Sequence, residues 1–545
     1  PCVAFVAWFQ SLESPSSAAM TADLKTSIYE VPTCEDLGAV DENEKNTTSE
    51  EDSYSDDSDI KEESGLRNRV AKAPSSASIP SAVAASPKNA WSARGKTLMA
   101  MLCLWAFAPF LAIVALVAWA RFKLFGGCFE KGRSAEKKVL NILVTGGKMS
   151  KASAVARACG RDGHNVFTAE IMPYQFCHTR FCKYVTKHYI LPRPTVQPQE
   201  WHAAIMSIVH EQKVDLIIPC TAPVESSAYA HLRESLPENV RVFAFDGTTS
   251  DELDNKYTFN QVLVNAGLPC PETAKMECLQ DALDFFKKRE SKKDDGKKFI
   301  VKPAVYDPKA RTEILFLPIE DQKRQMEYLK SRNASKSVPY VIQEVLQEPE
   351  YGCYAIFNKG HLTGFEFFES AASCLVYSQL KKQYDQVLEL NAGLGKAMNL
   401  TGQLTLDLMH TPTGELVPIE CNPRIHSAVC TLEGHRNIGA MFTDPDFAPQ
   451  SKQEIVMSKP ETYRYWLMDQ VFLMAGFWKP KNCFKLNLSQ MAKGGDAILC
   501  GDDPMPFLAM YLLQIPSLLV RELLAGTEWL KIDFCIGKIV KEGGD

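Results

Sequence analysis

The sequence carries no Cys-x-x-Cys pair, although it holds 17 cysteines in 545 residues. An odd number of scattered thiols without regular spacing excludes a disulfide framework and points to a reducing, cytosol-like compartment. Cys177-His178 and Cys182 come nearest to a metal pair, but the second pair that zinc needs is missing. A basic excess is also lacking: 60 Lys and Arg stand against 66 Asp and Glu, a formal net charge of −6. That balance leaves no electrostatic footprint for nucleic acid, and none is expected as a partner. The turn Gly146-Gly147-Lys148 lacks the four-residue interval of a Walker phosphate loop. No internal repeat is visible. The chain opens on Pro1 rather than methionine, so its natural start is expected upstream.

Two stretches lack something more local. Residues 1–96 are poor in large apolar side chains, with a run of Asp, Glu and Ser over 41–63 and of Ala, Ser and Pro over 71–87. Such compositions bury too little apolar area to offset chain entropy, and a disordered tail is expected. Residues 97–120 are 24 residues without a charge. At 1.5 Å per residue they cross a hydrocarbon core of about 30 Å, so a transmembrane helix is expected over 97–123. Arg94, Lys96, Arg121 and Lys123 bracket it, and Trp105 and Trp119 lie toward its ends. A second apolar run, 506–524, is interrupted by Gln514 and Pro516 and is read as a partly buried helix.

What remains is ordinary for a globular chain, at 46% hydrophobic and 23% charged residues. Near-continuous apolar runs at 139–145, 165–169 and 214–219 alternate with helical stretches. Strands buried on both faces and separated by helices predict a parallel α/β domain over 139–250. A mixed α+β domain is expected over 251–445, followed by an extension over 446–545.

The densest chemistry lies at 403–424. Asp407 sits in the alternating run Gln403-Leu404-Thr405-Leu406-Asp407-Leu408-Met409. Glu420 and Asn422 close a second run after the turn Thr413-Gly414. Two such runs joined by a glycine turn predict a hairpin with Asp407 opposite Glu420 and Asn422. Two carboxylates and an amide oxygen on one face make a hard oxygen site suited to magnesium bridging phosphates. Arg424 adds a cationic fork for an anion. Upstream, Asp254-Asn255-Lys256 opens a helix, 299–303 delivers Lys302 on a short strand, and 340–346 is a strand ending at Glu344-Val345-Leu346, with Glu350 beyond it.

Two lysines, an acidic strand end and the later Asp-Glu-Asn set, in that order, resemble the ATP-grasp superfamily. The resemblance implies a parallel-sheet N-terminal domain followed by two lobes that clasp ATP. Lys256 and Lys302 would meet the nucleotide, Glu344 and the backbone of Val345 and Leu346 the adenine edge, and Glu350 the ribose. Asp407, Glu420 and Asn422 would hold Mg2+, and Arg424, Lys302 and Arg311 would act on the transferring phosphate. The phosphate-covering segment departs from the pattern, because Ala304-Val305-Tyr306-Asp307-Pro308-Lys309-Ala310-Arg311 has no glycine. Side chains such as Lys309 or Arg311 would replace the backbone there.

That segment, together with 401–407, 420–429, 146–152 and the tail motifs at 496–498, 503–508, 514–516 and 533–538, resembles mycosporine-glycine synthase. These ATP-grasp ligases belong to the biosynthesis of mycosporine-like ultraviolet sunscreens. The resemblance covers residue 139 to the C-terminus. It implies that glycine and 4-deoxygadusol condense through a phosphorylated enol to give mycosporine-glycine, ADP and phosphate. His426 and Ser427 would face the cyclohexenone or the amino acid, and a homodimer is compatible with the family. The catalytic part would lie on the cytosolic or plastid stromal side of the membrane, where ATP is found. Two other readings stay open: an ATP-grasp ligase joining another amine to a carboxylate or enol, and a membrane-tethered nucleotide-binding scaffold. No general base for the amine is evident in the sequence.

Overall fold

The computed structural model describes residues 87–126, 138–290, 296–305, 314–369, 376–378, 383–458, 463–476 and 488–541. The acidic tail and Arg311 lie outside the described residues. The first described element is helix α1, Pro87–Phe125, which is 39 residues long and starts upstream of the uncharged run on which it was placed. Its residues Ala93, Thr97, Ala100, Leu104, Leu111 and Ala115 are buried. Their spacing of three, four or seven puts them on one face, and that face packs on the C-terminal region of the body.

A five-stranded parallel sheet follows, in the order β3-β2-β1-β4-β5. Its strands are β1 (Asn141–Thr145), β2 (Asn165–Ile171), β3 (Val185–Leu191), β4 (Leu216–Pro219) and β5 (Arg241–Val242). Helices α2 (Ser150–Arg161), α3 (Pro198–Gln212) and α4 (Pro223–Leu232) make the crossovers. The predicted parallel α/β domain is therefore present, because strands of the Leu143 and Ile217 type need apolar cover on both faces. The order reverses between β1 and β4, and the turn after β1 lies in that crevice, the usual ligand position of such sheets. Gly146 has φ +74° there, and a Cβ on it would stand 2.3 Å from the Cys220 carbonyl oxygen. No other residue fits that turn.

Two antiparallel lobes complete the predicted α+β region. The smaller orders β6 (Thr273–Met276), β8 (Tyr340–Glu344) and β7 (Phe299–Pro303), with β8 central. Helices α5 (Gly247–Asp254) and α6 (Lys256–Asn265) lead into it, and α7 (Leu279–Glu290) and α8 (Gln322–Ser331) cover it. Its core is Met276, Phe286, Phe299, Leu329 and Ile342. The larger lobe orders β10 (His361–Glu369), β9 (Gln347–Asn358), β12 (Gly402–His410) and β13 (Leu416–Asn422). Helix α9 (Tyr384–Met398) packs on it through Val387, Leu390 and Leu394. A parallel-sheet domain followed by two antiparallel lobes is the ATP-grasp architecture expected from the sequence.

The C-terminal part is bound to the first domain. It adds the small sheet of β11 (Val376–Ser378), β14 (Tyr463–Tyr465) and β15 (Gly495–Asp496), and the hairpin β16 (Lys531–Asp533) and β17 (Lys538–Val540). Between them runs the apolar helix Met505–Ala525. Gln514 on this helix donates to the Lys148 carbonyl at 3.0 Å and accepts from the His178 N–H at 2.7 Å.

Burial pushes both His178 and His188 down to about 3. Their unfolded value is near 6.5, so the folded state disfavours protonation of both. A depressed histidine contributes stability above its unfolded pKa and loses it as pH falls toward the folded value. Between pH 6 and pH 4 the free energy of unfolding measured in urea is therefore expected to fall, by roughly 1.4 kcal/mol per pH unit for each histidine. Replacing His188 by Gln should flatten that slope, and an unchanged slope would contradict the assignment.

Candidate active site

The hairpin of β12 and β13 builds the acidic centre. Asp407 pairs with Glu420 and Thr405 with Asn422, so all four side chains share one face of the sheet. A bulge follows between Asp407 and Leu408 and leaves Ile419 out of the ladder. The freed Ile419 carbonyl accepts from Lys302 Nζ at 3.5 Å and from Gln343 Nε2 at 3.4 Å, which ties β7 and β8 of the small lobe to the acidic strand. The bulge thus aims a backbone oxygen at the facing lobe.

Around this centre the charges are ordered by short contacts. Asn422 Nδ2 donates to Asp407 Oδ2 at 3.2 Å, and Arg424 donates to Asn422 Oδ1. Arg424 also stands 3.6 Å from Asp254. Lys256 begins α6, whose start is capped by the Asn255 side chain. Its N–H donates to the Ala304 carbonyl at 2.8 Å, and its ammonium lies 3.2 Å from Glu420 Oε2. Lys302 is half-buried beside Glu420, Asp407 and Glu350, and loss of solvent pushes it down to about 8. Asp407 is pushed up to about 8, first by burial and then by Glu420 and Glu350, with Arg424 and Lys302 opposing.

Three carboxylates crowded within reach of three cations make a site that favours a divalent ion together with a polyanion. The donor set fits Mg2+ better than zinc, since it is all oxygen. Among the described residues no group of three or more His, Cys, Asp and Glu is placed to hold a metal. Beside the two carboxylates the Asn422 amide offers a third oxygen. Its nitrogen donates to Asp407 while its oxygen accepts from Arg424, so that oxygen is the atom a metal would share with the guanidinium.

The other predicted residues are placed less uniformly. The Glu344 carboxylate accepts from Lys297 Nζ at 2.9 Å and from the Glu272 N–H at 3.2 Å, so it braces the small lobe. The Val345 N–H donates to the Lys298 carbonyl at 2.8 Å. Leu346 is buried beside it. Glu350 is exposed at the start of β9, within electrostatic reach of Lys302 and Asp407. The His426 ring stacks on Phe368 at 5.0 Å, and its Nδ1 accepts from the Ala428 N–H at 3.2 Å. Ser427 is buried with its Oγ 2.8 Å from Cys535 Sγ, facing the C-terminal region.

Sequence reasoning missed Lys151. Its ammonium is buried at the crevice of the parallel sheet and donates to the carbonyls of Ile425 at 2.8 Å and Thr221 at 3.2 Å. Burial pushes it down to about 8, and Arg424 lies near enough to lower it further. The signal was present in Gly146-Gly147-Lys148-Met149-Ser150-Lys151, but the turn was read for its glycines. Asp254, which orients Arg424, was also overlooked.

No family model matches the chain, and no curated protein matches it. Solved structures of similar shape include a biotin carboxylase from Campylobacter jejuni described as a β,γ-ATP complex. It is 15% identical, with 58% of this chain and 74% of that one covered and a TM-score of 0.48. An N5-carboxyaminoimidazole synthetase from Staphylococcus aureus, complexed with ADP, is 13% identical over 58% and 80% of the two chains, with a TM-score of 0.44. An L-amino acid ligase from Bacillus licheniformis is 16% identical over 56% and 69%, with a TM-score of 0.38. Likenesses this distant transfer no substrate and no residue role to this chain.

Proposed function

We propose that this chain is an ATP-dependent, ADP-forming ligase of the ATP-grasp type that makes a C–N bond, and that its substrates are glycine and 4-deoxygadusol. One observation supports the ligase reading above the rest: Asp407, Glu420 and Asn422 share one face of a hairpin, with Lys256, Lys302 and Arg424 beside them. Asp407, Glu420 and the Asn422 amide would hold Mg2+, which would neutralise charge on the phosphates. Phosphoryl transfer asks for positioning and charge neutralisation more than for a protein nucleophile, and the site is built of such groups.

The balance of the reaction is simple. The enol oxygen of the cyclohexenone takes the γ-phosphoryl group and ADP leaves. The amine nitrogen then bonds to the ring carbon bearing that oxygen, phosphate departs, and the nitrogen loses a proton. In this reading Lys256, Lys302 and Arg424 stabilise the phosphoryl oxygens. The main chain at Val345 and Leu346 receives the adenine edge, Glu350 the ribose, Arg311 the transferring group, and His426 with Ser427 the side of the second substrate. The acid-rich hairpin counts against a scaffold without catalysis. Attachment to a membrane through α1, with the site on the cytosolic or stromal side, belongs to the same proposal.

The test is ADP release by the full chain with MgATP, 4-deoxygadusol and each common amino acid in turn. Release that needs both 4-deoxygadusol and glycine is expected. Release with a different acceptor would overturn the substrates and leave the ligase standing. No nucleotide turnover with any pair would overturn both.

A further inference from the structure

Helix α1 is apolar on every side, yet only one side is covered. The inner face, on Ala93, Thr97, Ala100, Leu104, Leu111 and Ala115, lies on the body. Both ends are attached there. Near the start, Thr97 Oγ1 accepts from Trp529 Nε1 at 2.9 Å, and Lys96 Nζ donates to the Trp529 carbonyl at 2.6 Å. Near the end, Gly501 lets the helix approach so closely that a Cβ there would stand 2.7 Å from the Ala118 carbonyl oxygen. From Arg94 to Ala118 the axis rises about 36 Å.

The ground under that helix is the apolar helix Met505–Ala525 along most of its length and ionic beneath the Ala118 end. Asp502, next to Gly501, pairs with Arg161 at 2.9 Å and Lys183 at 3.3 Å, and Arg157 pairs with Asp503 at 2.9 Å. A helix standing across a bilayer would carry these charges into hydrocarbon, at large cost. The opposite face presents Leu102, Trp105, Ile113, Leu116 and Val117, each more than half exposed. Arg121 and Lys123 are exposed at its end, and no acidic residue occurs between Pro87 and Phe125. Exposed Leu524 continues the apolar surface past the start of the helix, beside Leu523, whose carbonyl accepts from Arg94 Nε at 3.3 Å. One face held on the protein body, one face apolar and only positive charge along the helix complement an anionic lipid surface.

We infer that α1 holds the protein on an anionic bilayer by lying in its interface, outer face down, rather than by crossing it. The inference rests on the membrane attachment proposed above and is independent of the ligase reading.

The full chain is added to preformed vesicles of phosphatidylcholine, with and without phosphatidylserine, and floated on a density gradient. Flotation with phosphatidylserine vesicles is expected. The triple variant Leu102→Gln, Ile113→Gln, Val117→Gln should lose it roughly tenfold while keeping the urea midpoint of the parent. Absence of flotation by the parent, or undiminished flotation by the variant, overturns the inference. Ser92→Cys and Phe125→Cys, exposed at the two ends of the helix and turned away from its outer face, are each labelled from outside with a membrane-impermeant maleimide and settle the orientation. Labelling of both above the parent's background supports the in-plane helix, and protection of either one overturns it. Sedimentation as a dimer that the triple variant abolishes, without flotation, would assign the face to a second copy and overturn the lipid.

Discussion

Asp407→Asn is expected to reduce ADP release by about 10³-fold while leaving the unliganded fold as stable as before, or more so. The side chain keeps its shape, and its remaining oxygen still accepts from Asn422 Nδ2. What disappears is a carboxyl group that the unliganded protein holds at a cost, either as a buried charge or by taking up a proton. Burial, Glu420 and Glu350 all push Asp407 up, to about 8. A carboxyl group whose folded pKa lies above its unfolded value stabilises the fold at low pH and loses that contribution as pH rises from about 4 toward 8. Removing it at pH 7 relieves a penalty, by roughly 1 kcal/mol after relaxation. A residue that served only the fold would behave in the opposite way. Two measurements decide it: steady-state ADP release, and urea unfolding with and without MgATP. MgATP at about 100 times its Kd should stabilise the parent by about 2.7 kcal/mol and the variant by far less. Retained turnover, or an unfolding curve collapsed without ligand, would sink the metal assignment.

The hairpin behind that prediction was legible because its determinants are local. Alternation of apolar and polar residues on each side of Thr413-Gly414 fixes which side chains share a face, and the structure pairs Asp407 with Glu420. The bulge at Ile419 went unread, although Pro418 beside it, which has no N–H to give the ladder, was its mark. The parallel sheet was readable from its near-continuous apolar strands, and both lobes from their place in the order. Lys151 escaped because its partners are carbonyls of Thr221 and Ile425, distant in sequence and invisible in composition. Glu344 is a similar case. A carboxylate at a strand end suggested a ligand contact, and tertiary packing adds two partners that composition does not show, Lys297 and the Glu272 N–H. Hydropathy found α1, but a helix apolar all round reads alike whether lipid surrounds it or a protein covers half of it. Only the burial of Leu104 and Leu111 against the exposure of Leu102 and Ile113 separates the two faces.

Arg157→Leu is expected to destabilise the protein by about 3–5 kcal/mol, the largest loss anticipated from a single change outside the acidic centre. Arg157 lies on α2 and is completely buried. Its Nε donates to Asp503 Oδ2 at 2.9 Å, and its Nη2 donates to the carbonyls of Ile498 at 2.7 Å and Asp503 at 3.0 Å. Its Nη1 lies 3.5 Å from Glu433, which also meets Arg161 at 3.2 Å. One guanidinium therefore joins three chain segments: the first helix of the parallel domain, the loop beyond the acidic strand, and the C-terminal region. Truncation leaves the Asp503 and Glu433 carboxylates with less counter-charge in a site that water does not reach, and the penalty comes from those stranded groups rather than from a lost attraction. The double variant Arg157→Leu, Asp503→Leu should accordingly recover part of the loss, though not all, because Asp503 Oδ1 also accepts from the Lys183 N–H at 2.9 Å. A coupling of 1 kcal/mol or more in that cycle is expected from urea unfolding. The start of the same helix is also tied to the C-terminal region, since the Ser150 N–H donates to the Cys535 carbonyl at 3.1 Å. Loosening these contacts should free the turn after β1 and raise the KM of the second substrate while the KM for ATP stays put. A destabilisation under about 1 kcal/mol would mean that the C-terminal region folds against the first domain without this clamp.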